Sequence, residues 1–318
     1  MAPTSNAPTP ETAHATPVIR TRGLSRWYGG KHRRRGIVEV DLEAPRGVVY
    51  GFIGPNGAGK TTTIRTLLGF LRPSAGEASV FGLDCWSESH RIKARVGYLP
   101  GDLRLYPWLT LERALEFVGR VRGMDLRDPG RTLAERLGLE PDLPARRMSR
   151  GNRQKLGLIM TLAPDPDLLV LDEPTSALDP LVQIATLDLL AERAERGRTV
   201  FLSSHSLSEV EQVCSRVAIV RGGRIIVDEA MDSLRARARR LVRLEFANED
   251  DAKRHPPPDS FHGASRHGRE WTFELDGHAR DLIEWAAGRP VIDLSIGQPD
   301  LQTVFRRFYE EGGRVAPS

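Results

Sequence analysis

The sequence predicts an α/β chain: a mainly parallel sheet with covering helices, a helical insertion, and a small C-terminal α/β appendage. Three observations predict it. Apolar, strand-like runs at 48–53, 168–171 and 199–202 alternate with helix-compatible stretches from about residue 18 to residue 230. Between them, residues 96–162 read as more helical, with Leu111, Ala114, Leu115, Val118 and Val121 spaced for one helix face. After residue 230 the composition shifts. Residues 235–240 are basic, 247–258 are polar and end in three prolines, and short apolar runs resume at 271–275, 282–287 and 291–296.

The elements follow in order. Residues 1–17 are rich in Ala, Pro and Thr, with no basic start and no apolar segment, and are expected to be a disordered tail and not a secretion signal. Residues 18–230 make the main domain, with the helical part at about 96–162, and 231–318 make a linker and accessory domain. The run 48–53 is apolar and β-branched, as a buried strand should be. It leads into Gly54, Pro55, Asn56, Gly57, Ala58, Gly59, Lys60, Thr61 and Thr62, which match G-x-x-x-x-G-K-[ST]. The stretch 62–71 then has helical spacing at Ile64, Leu67, Leu68 and Leu71. Strand, Gly-rich turn and helix together are the context in which this pattern binds phosphate. Successive N–H groups and the helix N-terminus face the anion. Lys60 is expected to reach the β- and γ-phosphates of a bound nucleotide, and the Thr61 hydroxyl to hold Mg²⁺.

Further along, Leu168 to Leu171 end in Asp172 and Glu173. Ligands sit at the carboxyl ends of strands in such sheets. Asp172 is expected to steady Mg²⁺, and Glu173 to polarise an attacking water. Ser149 precedes a helix running to about residue 163; alone it reads as an N-cap, and a helix N-terminus can also serve as a second anion site. The strand at 199–204 ends beside His205.

The composition narrows the classes. In 318 residues, 40% are hydrophobic and 28% charged, ordinary for a globular protein. Apolar runs stay short of the roughly 18 residues of a membrane-spanning helix. Cys85 and Cys214 lack metal or redox spacing and read as plain buried thiols in a reducing cytosol. The net charge is +4, and the one dense basic run, at 31–35, has no interleaved aromatics, so no nucleic-acid partner is expected. One phosphate loop and no internal repeat imply one nucleotide site.

In their order, these pieces resemble the ATPase subunit of ABC transporters over about residues 18–230. The resemblance implies a P-loop ATPase core that binds ATP and Mg²⁺ and hydrolyses ATP. By this likeness Tyr28 stacks on adenine, and residues 54–62 are the Walker A loop. Ser149, Gly151 and Asn152 belong to the signature that contacts the γ-phosphate held by an opposite subunit. Asp172 is the Walker B acid, Glu173 the catalytic glutamate, and His205 the switch histidine. Asp179 closes the D-loop at the dimer interface. The working unit implied is a head-to-tail homodimer or heterodimer with a second ABC ATPase. It would bind an integral membrane permease and stay peripheral on the cytoplasmic face of the cell membrane. Two positions depart from the family pattern. Arg150 stands within the signature, and Gly101 stands where a Mg²⁺-sensing Gln is usual. Asp102 is expected to take part of that metal role. Gln298 to Leu301, with Val304, Phe305 and Phe308, look like the end of drug-resistance-type exporter ATPases, whose permease is a separate chain; the four apolar residues also fit a terminal amphipathic helix. The alternative is an ABC-type ATPase acting as a clamp on ribosomes or DNA. Such proteins usually carry two cassettes, a long coiled coil or a zinc insertion, and this sequence has none of these.

Overall fold

A computed structural model describes residues 16–29, 35–258, 260–275, 279–299 and positions 301, 304, 305 and 308. Residues 1–15 of the expected tail and 31–34 of the basic run lie outside the described residues. In chain order the first strands and helices are β1 (Ile19–Tyr28), β2 (Arg35–Ala44), β3 (Val49–Ile53), α1 (Lys60–Leu67), β4 (Ala75–Val80), β5 (Leu83–Asp84), α2 (Ser89–Lys93) and β6 (Val96–Leu99). Then come α3 (Leu111–Arg122), α4 (Arg127–Leu137), α5 (Arg150–Leu162), β7 (Leu168–Asp172), α6 (Pro180–Glu195), β8 (Thr199–Ser204), α7 (Leu207–Val213), β9 (Arg216–Arg221), β10 (Arg224–Ala230) and α8 (Met231–Arg237). The chain continues through β11 (Arg240–Phe246), α9 (Glu249–Arg254), β12 (His262–His267), β13 (Glu270–Leu275), α10 (Arg280–Ala286) and β14 (Val291–Pro299).

The main sheet has the order β10-β9-β3-β8-β7-β6. All its pairs are parallel except β10 on β9. Its central strands β3, β8 and β7 are buried along their whole length, as a sheet covered on both sides requires. Because side chains alternate, neighbours along a strand enter different cores. Leu168, Val170 and Phe201 pack with Ile64 and Leu67 of α1 and with Leu68 that follows it. Leu169, Leu171, Val200 and Leu202 pack on the other face, with Leu158 of α5, Leu187 of α6 and Val210 of α7. The next residues of β7 and β8 inherit this alternation, so Asp172 and Ser203 emerge on the α1 face.

A second sheet, β2-β1-β4-β5, is antiparallel throughout; the sequence reading did not anticipate it. Two helical expectations also change. The helix expected over 62–71 ends at Leu67, because Gly69 takes a left-handed φ of +65°. The stretch 96–162 opens with β6, paired to β7 in the main sheet, so its helices occupy 111–162. Within α3, Leu111, Ala114 and Leu115 are buried, but Val121 is 71% exposed.

The third sheet, β12-β13-β11-β14, is antiparallel. It encloses a small core of its own around Val242, Leu244, Phe246, Phe273 and Leu282. The terminal residues behave differently. Leu301, Val304 and Phe305 are helical and buried against the core that holds Met231, Leu234 and Ala238.

Candidate active site

The loop between β3 and α1 lines a cleft of about 650 Å³. Pro55 through Thr62 line it, with Tyr28, Asp172, Glu173 and His205. The loop needs glycine for two reasons. Gly59 sits at φ +112°, and a Cβ there would lie 2.7 Å from Ile37 Cγ2. α1 then begins at Lys60 with no side-chain cap, leaving its first N–H groups for an anion.

Lys60 is 6% exposed. Its Nζ donates to the Gly54 carbonyl at 2.6 Å and lies 3.2 Å from Glu173 Oε1. Glu173 in turn contacts His205 Nδ1 through Oε2. Cation, carboxylate and imidazole therefore form one chain across the cleft. Beside it, Thr61 Oγ1 donates to Asp172 Oδ2 at 2.7 Å. Asp172 is 2% exposed, and a buried carboxylate requires such partners. Burial pushes the Tyr98 phenol above its ordinary value, with the charge of Asp172 adding to the effect.

Glu173 has a left-handed backbone, φ +56°. For a non-glycine residue this costs about 1–3 kcal/mol and persists only where surroundings hold it. Here its N–H donates to Ser203 O at 3.1 Å. Gln154 Nε2 donates to Pro174 O at 2.9 Å and reaches Glu173 O at 3.4 Å. Gln154 is 6% exposed, so the helix that starts at Ser149 grips the segment carrying Glu173. Sequence reasoning missed this residue: Gln154 stands between Arg153 and Lys155 in the polar first turns of α5, where nothing marks it as buried.

The other expected residues fall as follows. Tyr28 is 40% exposed and lines the cleft, with the Arg26 guanidinium 5.3 Å from its ring centroid. Ser149 caps α5, accepting from Asn152 N at 3.1 Å. Gly151 lies against Ala177 O, where a Cβ would come within 2.8 Å. Ser149, Gly151 and Asn152 do not line this cleft, whereas Arg150 does. Asp179 caps α6 by accepting from Val182 N at 3.1 Å, and Ser176 lines the cleft in its place. Asp102 borders the cleft, but its carboxylate is 71% exposed and paired with Arg104 at 3.0 Å. It does not join Thr61 and Asp172. Its neighbour Gly101 does approach them: a Cβ there would lie 3.4 Å from Asp172 Oδ2. Cys85 and Cys214 are buried and unpaired. Burial pushes both thiols up, that of Cys85 to about 12.

Comparison with known proteins agrees with this geometry. Residues 37–176 match the ABC transporter family model. The bacitracin transport ATP-binding protein BcrA of Bacillus licheniformis is 32% identical over 74% of this chain and 77% of its own length. The daunorubicin/doxorubicin resistance ATP-binding protein DrrA of Streptomyces peucetius is 35% identical over 70% of this chain and 68% of its own. An uncharacterised ABC transporter ATP-binding protein of Synechocystis matches at 27% over 96% of this chain and 90% of its own, the accessory region included. Among solved structures, an ATP-binding subunit of an ABC transporter superposes with a TM-score of 0.63 at 27% identity, over 69% of this chain and 92% of that one. The chain belongs to the ATP-binding proteins of ABC transporters. It is an α/β P-loop protein that binds ATP, and its enzymatic activity is ATP hydrolysis.

Proposed function

We propose that this chain is the ATP-hydrolysing subunit of an exporter whose membrane-spanning permease is a separate polypeptide. The observation that carries its ATP-hydrolysing part is the Lys60–Glu173–His205 chain beside the Thr61–Asp172 pair, all facing one cleft. Residues 54–62 cradle the phosphates of ATP, with Lys60 released from Glu173 to the β- and γ-oxygens. Tyr28 takes the adenine. Glu173 orients and polarises the attacking water, and His205 meets the γ-phosphate. Thr61 and Asp172 offer a hydroxyl and a carboxylate 2.7 Å apart. Mg²⁺ suits this set of hard oxygen donors, for it binds through one or two carboxylates plus phosphate and water. When bound it neutralises charge developing on the phosphoryl oxygens.

Two cassettes, of this chain or of this chain and a paralogue, close on ATP and reopen after hydrolysis. Ser149, Gly151 and Asn152 then serve the nucleotide of the opposite subunit, and Asp179 lies at the interface. That these three signature residues stand outside their own cleft supports this arrangement.

The permease docks on the helical part. Leu103, Phe117, Val121 and Met160 line a groove of about 260 Å³ with Tyr98. Tyr106 and Trp108 stack nearby in sequence and are 68% and 51% exposed. Exposed aromatics of this kind mark a partner surface. No helix among the described residues is long and apolar enough to cross a membrane, so the cassette sits peripherally on the cytoplasmic face through that partner. Export is the reading favoured by relatives named for bacitracin transport, daunorubicin/doxorubicin resistance and fluoroquinolone export.

The test is a pull-down of tagged Glu173→Gln protein with MgATP in gentle detergent from its native cells. Recovery of a polytopic membrane protein is expected. Recovery of ribosomal or DNA-associated proteins without a membrane partner would move the assignment to a clamp ATPase.

A further inference from the structure

Ser203 is fully buried at the end of β8, where the preceding residues Val200, Phe201 and Leu202 are apolar. A hydroxyl in such a place is costly unless hydrogen-bonded. The parallel register sets Ser203 directly beside Asp172 on β7. Its Oγ donates to Asp172 Oδ1 at 2.5 Å. The other oxygen, Oδ2, accepts from Thr61 at 2.7 Å. The two oxygens of Asp172 are thus divided between two hydroxyls, one from the phosphate loop and one from β8. Ser203 also holds the next residue: Glu173 N donates to Ser203 O at 3.1 Å and lies 3.3 Å from Ser203 Oγ. That N–H belongs to the left-handed backbone at φ +56°.

We propose that Ser203 is a positioning residue that locks the metal-holding acid and the general base to one another. Its hydroxyl fixes the plane of the Asp172 carboxylate and leaves Oδ2 toward Thr61. Its carbonyl and hydroxyl together hold the turn that aims Glu173 into the cleft. Partners of this kind orient the groups that bind a metal, and their loss costs 10–100-fold in metal affinity or activity. The inference rests on the roles proposed for Asp172 and Glu173.

The experiment is steady-state phosphate release by Ser203→Ala, Ser203→Cys and Ser203→Thr, titrated separately with ATP and Mg²⁺. Glu173→Gln runs alongside, and melting curves check folding. In Ser203→Ala, kcat should fall about 10–100-fold and the Mg²⁺ concentration for half-maximal rate should rise by a similar factor. The KM for ATP should stay within about twofold, because the phosphate loop is untouched. Ser203→Thr keeps the hydroxyl and should restore most of both losses. If Ser203→Ala does not fold, the same Mg²⁺ shift is read in Ser203→Cys, which fills the site with a slightly larger atom and weakens the donor. An unchanged Mg²⁺ dependence in a folded variant, with Glu173→Gln inactive, overturns the role of Ser203 alone. Near-normal turnover in Glu173→Gln overturns the underlying assignment instead.

Discussion

Strand β7 carries a pair of acids at each end, and the two pairs meet opposite fates. At the amino end, Asp165 and Asp167 stand just before the strand. Asp165 is held by Arg193 at 2.7 Å and Arg198 at 2.8 Å, and Asp167 by Arg198 at 3.0 Å and Arg95 at 2.8 Å. Guanidinium groups pair with both and neutralise them. At the carboxyl end, Asp172 has only hydroxyl partners among the described residues, and Glu173 pairs with Lys60 and His205, both facing the cleft. Hydroxyls orient a carboxylate without neutralising it. The comparison teaches that an acid's availability is set by which partners the topology brings, not by its position beside a strand.

If that contrast is right, substitutions at the two ends should differ in kind. The largest effect is expected at Glu173. Glu173→Gln should lower turnover by about 10²–10⁴, the usual worth of a general base, and should accumulate a MgATP-bound dimer. Phosphate release and sedimentation check both, and near-wild-type turnover would break the comparison. Next is Lys60→Ala. Losing a charge-assisted contact worth about 1.5–3 kcal/mol should weaken nucleotide binding roughly 10–100-fold, measured with a fluorescent ATP analogue. An intact affinity would mean that Lys60 serves only its 2.6 Å bond to the Gly54 carbonyl.

Gln154→Leu should have a smaller effect. It strips donors from Glu173 O and Pro174 O, costing about 1–3 kcal/mol of stability, and lowers kcat several-fold by loosening the turn at Glu173. A variant that melts early but turns over normally would confine Gln154 to packing. The smallest effect belongs to the amino end. Burial pushes the Asp165 carboxyl up, but Arg198 and Arg193 outweigh burial and hold it below its ordinary 3.8. A lowered folded pKa stabilises above the unfolded value and is lost as pH falls through the folded one. Asp165→Asn should therefore reduce stability modestly at neutral pH and flatten its loss below about pH 4, with ATPase activity unchanged. Melting curves from pH 3 to 7 test it, and an unchanged acid limb would remove Asp165 from the account.

The site was legible in the sequence where its chemistry is local. Residues 54–62 form one contiguous loop, so the pattern carries the geometry. Asp172 and Glu173 were legible because an apolar run stopped at them. Ser203 was not, since its bond to Asp172 spans 31 residues and depends on the β7–β8 register. Asp102 was legible as a neighbour of the cleft, but not its pairing with Arg104, two residues on. The antiparallel sheet escaped notice for a different reason. Register shifts between Thr21 and Leu24, and again between Leu24 and Arg26, break the two-residue alternation by which β1 would have been read. The appendage was legible as a change in composition. That Leu301, Val304 and Phe305 pack into the main core was not, because apolar helical spacing does not say which core receives it.

This last packing has a mechanical consequence. The chain leaves the ATPase core after Leu234 and Ala238 and comes back to it at Leu301. The third sheet is therefore a handle fastened at both ends, not a pendant on a string. A single protease nick within its loops should leave both fragments bound, and force applied to the handle would reach the core along two paths. Two attachments leave the handle fewer ways to turn relative to the ATPase body than one linker would.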